Sequence, residues 1–212
     1  MRHIPIVITG PIGAGKSTLA RIISEHLGIE YVKEYIDMNN GEEMLLKFKT
    51  NSISPEDFQE YILQAYKYQL MRVKGEAFVI ERLPEEGSII FNNSDRIILE
   101  KAVQVQEEFD IYGHQGETTV LTIHNIGQSA EMIMGEILRT LFGTKKVSRE
   151  MLIMLKSLHG IIIYLKTSPE ICIERIRKRN RFAEKSITLD DMKEMCMKYD
   201  EYINSFKNHY IK

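Results

Sequence analysis

The sequence has no tryptophan, only two cysteines and five prolines, and almost no net charge. Cys172 and Cys196 belong to no CxxC pattern and no histidine cluster, which excludes a disulfide framework and offers no metal site of the usual spacing. They read as reduced thiols, so the expected compartment is the cytoplasm. A formal net charge of -2 draws the chain neither to nucleic acid nor to anionic lipid, and neither is an expected partner. No apolar run is long enough to span a bilayer. The start, Met1-Arg2-His3-Ile4-Pro5, leads straight into an apolar segment and has no signal or transit pattern. What is present, 43% hydrophobic and 27% charged residues over 212 positions, suits a single domain over residues 1–212 with a full core.

Residues 10–17 read Gly-Pro-Ile-Gly-Ala-Gly-Lys-Ser, a complete phosphate-binding loop. An apolar, β-rich run (Ile4, Ile6, Val7, Ile8) precedes it, and a helical pattern from Leu19 to Ile23 follows. Gly10, Gly13 and Gly15 let the backbone curl so that its N–H groups face phosphate oxygens, with Ala14 between them and Thr18 just beyond. The helix opening at Lys16 adds its positive end. In this motif Lys16 bridges the β- and γ-phosphates and the Ser17 hydroxyl ligates Mg²⁺. The loop points to a bound nucleoside triphosphate.

Along the chain, strand and helix patterns alternate as a parallel sheet with crossover helices requires. Ile29–Val32, Ala77–Ile80 and Ile161–Leu165 read as further strands. Ser54-Pro55-Glu56-Asp57 starts a helix with a capping serine, a proline in the first turn and acids facing the dipole; it should run to about Lys74, where Gly75 stops it. Helical patterns follow at about 95–109, 129–142 and 148–158. Ser168-Pro169-Glu170 starts another helix through Arg179, and Thr188 with Asp191 forms a capping box for a last one. Residues 110–127 are the least legible; Thr118–Ile123, between His114 and His124, could add a strand.

In open parallel sheets ligands lie beyond the C-terminal strand ends. Four groups map there: the phosphate loop, Glu34, the pair Glu81-Arg82, and the arginine-rich segment carrying Arg175, Arg179 and Arg181. Phosphoryl transfer needs a metal, positive charge on the moving phosphoryl group and a base for the acceptor. Glu34 could be that base, against the plainer alternative of a solvated loop acid beside Lys33. Glu81 could serve Mg²⁺ and Arg82 the reacting oxygens, or the two could form only a structural ion pair. The arginines could close over the γ-phosphate as a lid.

These residues resemble the deoxynucleoside kinase family. The likeness is strongest over IIIYLKTSPEICIERIRKRNRFAEKSITL, from Ile161 to Leu189, and extends to Gly10–Thr18 and Glu81-Arg82. The resemblance implies an α/β P-loop kinase fold, a parallel sheet flanked by helices with an arginine-rich lid. It implies ATP and Mg²⁺ as cofactors, a small-molecule nucleoside as substrate, and a homodimer, for which the apolar helix Met132–Leu141 is a candidate face. By the same likeness Glu34 deprotonates the 5′-hydroxyl, Arg82 holds the 5′-oxygen and the incoming phosphate, and Gln64 pairs with the base. Glu184 contacts the sugar 3′-hydroxyl. Met71 and Gly87 stand where other members carry an arginine and an aspartate, which favours thymidine or another pyrimidine, unless Glu85 or Glu86 supplies the charge. Departures are Leu83-Pro84 in place of the family serine, a longer middle region, no tyrosine near Phe48, Thr50 or Ile53, and a C-terminal end without the usual apolar strand. That fifth strand is either missing or replaced by Val120–Ile123. Two other readings remain: a thymidylate or other nucleoside monophosphate kinase, and a nucleotide-binding protein without catalysis.

Overall fold

Strand β1, Ile4–Thr9, is buried at every position because it sits inside the sheet, where both faces are covered by helices. The computed structural model describes residues 4–38, 40–91, 96–111, 119–142, 160–206 and 210–211. Beside β1 lie β2 (Glu30–Val32), β3 (Ala77–Glu81), β4 (Thr119–Asn125), β5 (Ile161–Thr167) and β6 (Tyr210–Ile211), in the order β2-β3-β1-β5-β4-β6. Every pairing is parallel, so all strands end on one edge. The helices are α1 (Lys16–Leu27), α2 (Gly41–Lys49), α3 (Pro55–Leu70), α4 (Arg96–Glu108), α5 (Ala130–Phe142), α6 (Pro169–Arg179) and α7 (Leu189–Ser205).

Alternation along the strands builds two cores. Val7, Phe78, Ile80, Ile162 and Tyr164 face α3, α4 and α7, while Ile6, Ile8, Val79, Ile161, Ile163 and Leu165 face α1 and α5. Helix α5 spends its apolar stripe on that second core: Ile133, Met134, Ile137 and Leu138 are buried, while Met132 of the expected dimer face is largely exposed, at 62%.

The helix starts follow their caps. Ser54 Oγ accepts from the Asp57 amide, Ser168 Oγ from Ile171, and Thr188 with Asp191 completes the capping box. Helix α3 ends at Leu70 rather than near Lys74. The Glu30 carboxylate on β2 accepts from the Lys74 and Gly75 amides at 2.8 and 3.0 Å and draws the chain into β3. Helix α2 was not expected; its signal was two acids at the start, Glu42 and Glu43, and lysines at the end, Lys47 and Lys49.

The open question of the fifth strand resolves into two strands. Thr119–Asn125 pairs in parallel with β5, and Tyr210–Ile211 pairs beyond it with β4. The expected helix at 148–158, His114, Thr118 and the residues Met1–His3 lie outside the described residues. Among the described residues no helix is long and apolar enough to cross a membrane. Cys172 and Cys196 are both unbridged, and burial pushes their thiols up to about 12 and about 11.

Candidate active site

The strand ends converge on one cavity of about 500 Å³. Its polar end is lined by Gly13, Gly15, Lys16, Ser17 and Thr18 of the phosphate loop, by Glu34 and Arg82, and by Arg175, Arg179, Arg181 and Glu184. Its apolar end is lined by Tyr35, Phe48, Phe58, Ile62, Tyr66, Leu83 and Phe91, with Gln59 and Gly87 among them.

The loop is held largely by its carbonyls, and within it the Ala14 amide donates to Pro11 O at 3.2 Å. Arg175 Nη1 donates to Gly13 O at 3.2 Å and Ala14 O at 3.0 Å, and Asn125 Nδ2 donates to Ala14 O at 3.0 Å. Gly10 and Ala14 are buried behind the loop, outside the cavity lining. Position 13 admits only glycine: a Cβ there would stand 2.6 Å from the Cys172 carbonyl oxygen, with the backbone at φ +84. Lys16 Nζ, buried, donates to Pro11 O at 3.0 Å. Burial, helped by the nearby Arg82 charge, lowers its pKa to about 8.

Two carboxylates, fully buried Glu81 and partly buried Glu34, lie beside these cations. Glu81 ends β3; its Oε2 accepts from Ser17 Oγ at 2.9 Å and its Oε1 from the Tyr31 hydroxyl. Burial and the neighbouring Glu34 raise its pKa. A buried carboxylate joined to a hydroxyl of the phosphate loop is an oxygen donor pair that suits Mg²⁺. Glu34 stands at the start of the turn Tyr35–Asp37, its side chain making no capping bond, and lies 3.1 Å from Arg82 Nε. Burial pushes its pKa up, but Arg82, Lys16, Arg181 and Arg179 outweigh it, and the net direction is down.

Arg82 is 6% exposed and sits at φ 62, a strained conformation for a side-chain-bearing residue. Its guanidinium lies 4.7 Å from the Phe91 ring centroid, and Nη1 donates to the Tyr199 hydroxyl at 2.9 Å. Its pKa is raised further, Glu34 foremost overcoming burial, so it stays charged.

The lid arginines already have partners. Arg179 Nη2 reaches both Glu184 oxygens, at 2.7 and 2.6 Å. Arg181 reaches Asp37 at 3.1 Å and Glu42 at 3.6 Å, which clasps the lid to α2 across the cavity.

Two expected positions are corrected. Gln64 points outward and donates to Glu60 at 3.0 Å, and Met71, 67% exposed, caps α3 outside the cavity. The glutamine inside the cavity is Gln59, 4% exposed. Five residues apart on a helix is about 140° of rotation, so only one of the two can face inward. The buried positions Phe58, Ile62 and Tyr66 carried that phase in the sequence. Neither Glu85 nor Glu86 lines the cavity. Glu85 accepts from Tyr202 OH at 2.6 Å, and Glu86 binds Thr9, Tyr199 and the Leu83 amide. Sequence reading also missed Asn125, Tyr31 and Tyr199. Their signal was too weak to find, since single polar residues on a strand or helix have many uses.

A model of the family described as deoxynucleoside kinase matches residues 6–134 and 135–212. A deoxyadenosine kinase of Lactobacillus acidophilus is 25% identical over 205 residues, covering 97% of this chain and 80% of that one. A thymidine kinase of Ictalurid herpesvirus 1 is 22% identical over 205 residues, covering 93% and 73%. The solved structure of a deoxyadenosine kinase from M. mycoides with bound dATP superposes with a TM-score of 0.54 at 23% identity, over 95% of this chain and 84% of that one; it shares the fold. The family match leaves almost none of the chain outside it, and the protein is accordingly a kinase that belongs to the deoxynucleoside kinase family.

Proposed function

We propose that residues 1–212 act as one domain that transfers the γ-phosphoryl group of ATP to the 5′-hydroxyl of a deoxynucleoside, thymidine or another pyrimidine being preferred, as a salvage reaction. The observation that carries the reading is the Glu34–Arg82 pair, 3.1 Å apart on the lining of a cavity that runs from the phosphate loop to an apolar slot. The loop amides and Lys16 take the phosphates of ATP. Glu34 accepts the 5′-hydroxyl proton as the new O–P bond forms and the bond to the departing ADP breaks. Arg82, tethered on Tyr199 and Phe91, donates to the oxygens between which charge moves. Ser17 and Glu81 would hold Mg²⁺, which when bound neutralises charge on the phosphate oxygens. Arg175, Arg179 and Arg181 complete the cationic wall. Glu184, 6% exposed, takes the sugar 3′-hydroxyl on the lid side.

Gln59, not Gln64, then reads the base, because an amide offers donor and acceptor together. Pyrimidine preference rests on Leu83, Ile62 and Gly87 around it. Gly87 carries no side chain, and a Cβ there would stand 2.6 Å from Gln59 Oε1, so the amide occupies the space that a charged group would need. A panel of the four deoxynucleosides with ATP and Mg²⁺ should give thymidine or deoxycytidine the highest kcat/KM. The highest value for deoxyadenosine or deoxyguanosine would overturn the preference.

One observation favours a nucleoside monophosphate as acceptor instead: Lys49, at the end of α2, also lines the cavity and could meet a second phosphate. Arg72 does not support that reading, since its guanidinium is stacked 3.8 Å over Tyr68, outside the cavity lining.

A further inference from the structure

Glu86 is fully buried, at 0% exposure, and lies outside the lining of the cavity, yet its carboxylate is the hub of a hydrogen-bond chain that ends on Arg82. Oε2 accepts from Thr9 Oγ1 at 2.8 Å and from the Tyr199 hydroxyl at 3.1 Å, and Oε1 accepts from the Leu83 amide at 2.9 Å. The Tyr199 oxygen in turn accepts from Arg82 Nη1 at 2.9 Å.

The direction of this chain is fixed by chemistry. A guanidinium only donates and an ionised carboxylate only accepts, so with Glu86 ionised the phenol between them accepts from Arg82 and donates to Glu86. Buried charge-assisted bonds of this kind are strong, and a low local dielectric makes them mutually reinforcing.

The backbone is gripped by the same group. Arg82 holds φ 62, a conformation that persists only where surroundings enforce it. The residue after it is locked both ways: the Leu83 amide donates to the Glu86 carboxylate, and the Glu86 amide donates to Leu83 O at 3.0 Å. Thr9, the third donor, is the last residue of β1, directly before the phosphate loop. One carboxylate therefore joins the end of the strand that carries the phosphate loop to the main chain just after Arg82 and, through Tyr199, to the Arg82 side chain.

We propose that Glu86 is a positioning residue: through Tyr199 and the Leu83 amide it fixes the Arg82 guanidinium in register with the phosphate loop. The inference rests on the role of Arg82 given under Proposed function. Two nearly isosteric variants test it. Tyr199→Phe deletes only the relaying hydroxyl. Glu86→Gln keeps the shape but replaces one acceptor oxygen with an N–H₂, so it cannot accept both from Thr9 and Tyr199, which share Oε2, and from the Leu83 amide at Oε1.

With ATP, Mg²⁺ and the best deoxynucleoside of the panel, each variant should lower kcat by about 10- to 100-fold, the scale of a displaced catalytic group. KM for both substrates should stay within about threefold, the signature of an interaction used in the transition state. The double variant should fall within about threefold of the slower single one, because both act through one guanidinium. A merely structural role would lower Tm and leave kcat per folded molecule unchanged. The proposal is overturned if Tyr199→Phe keeps kcat within about twofold of the parent, or if the two losses multiply in the double variant. Failure of the underlying reading looks different: Arg82→Ala would then keep the parent rate, and the positioning role falls with it. If Arg82→Ala is slow and Tyr199→Phe is not, the positioning role alone falls.

Discussion

Glu34→Gln should lower kcat by at least about 100-fold, the lower end of what a positioned general base supplies, with KM for nucleoside and ATP little changed. The lower end is expected because the cations around Glu34 hold its pKa down: the carboxylate is ionised at neutral pH, as a base must be, but it is a weak one. Glutamine keeps the volume and can still present an oxygen to Arg82, which lies 3.1 Å away, so packing is preserved and only proton acceptance is lost. Steady-state kinetics decide it. Turnover within a few-fold of the parent would remove Glu34 from the chemistry.

Arg82→Ala should cost more, about 1,000-fold in kcat, in line with other arginines that stabilise a phosphoryl transition state. Two losses combine. The guanidinium no longer meets the moving charge, and Glu34 loses the cation that does most to keep it ionised. The sign of the second effect can be stated. Removing a positive neighbour raises the Glu34 pKa, and the active form is the ionised one, so the acid limb of the residual rate moves to higher pH. Stability falls too, because Glu34 and Glu86 remain buried without their shared counter-charge. A thermal melt of the variant separates that loss from the kinetic one, with kcat counted per folded molecule. An Arg82→Ala rate within tenfold of the parent would contradict the assignment, since about 1.4 kcal/mol is less than a transition-state arginine contributes.

What the sequence made legible was local. The phosphate loop, the serine-proline helix starts and the Thr188–Asp191 box are short patterns whose physics lies within a few residues. Glu34, Glu81 and Arg82 stood out because the first follows a short strand and the other two stand at the end of a buried one, and parallel strands end together. Where the reading failed, the deciding contacts were distant. Gln59 and Gln64 share helix α3, and only the packing of Phe58, Ile62 and Tyr66 against the sheet sets which one turns inward. Met71, seven residues beyond Gln64, shares its outward face of the helix, and the helix stops short of Lys74 because Glu30, far away in sequence, captures the Lys74 and Gly75 amides. Helix α2 is nine residues, too brief for a clear period. Glu86 stands next to Glu85 in a loop, and nothing in its neighbours announces a fully buried carboxylate; its partners Thr9 and Tyr199 are 77 and 113 residues away.

The central claim, that Glu34 and Arg82 serve a sugar alcohol and not a phosphate, is tested most directly by the acceptor itself. Incubation of the protein with ATP, Mg²⁺ and either thymidine or thymidine monophosphate, followed by separation of the products, measures it. Thymidine should yield ADP and thymidine 5′-monophosphate, with a kcat/KM well above that for the monophosphate. Efficient formation of the diphosphate, with thymidine left untouched, would contradict it and assign Lys49 to the acceptor's phosphate.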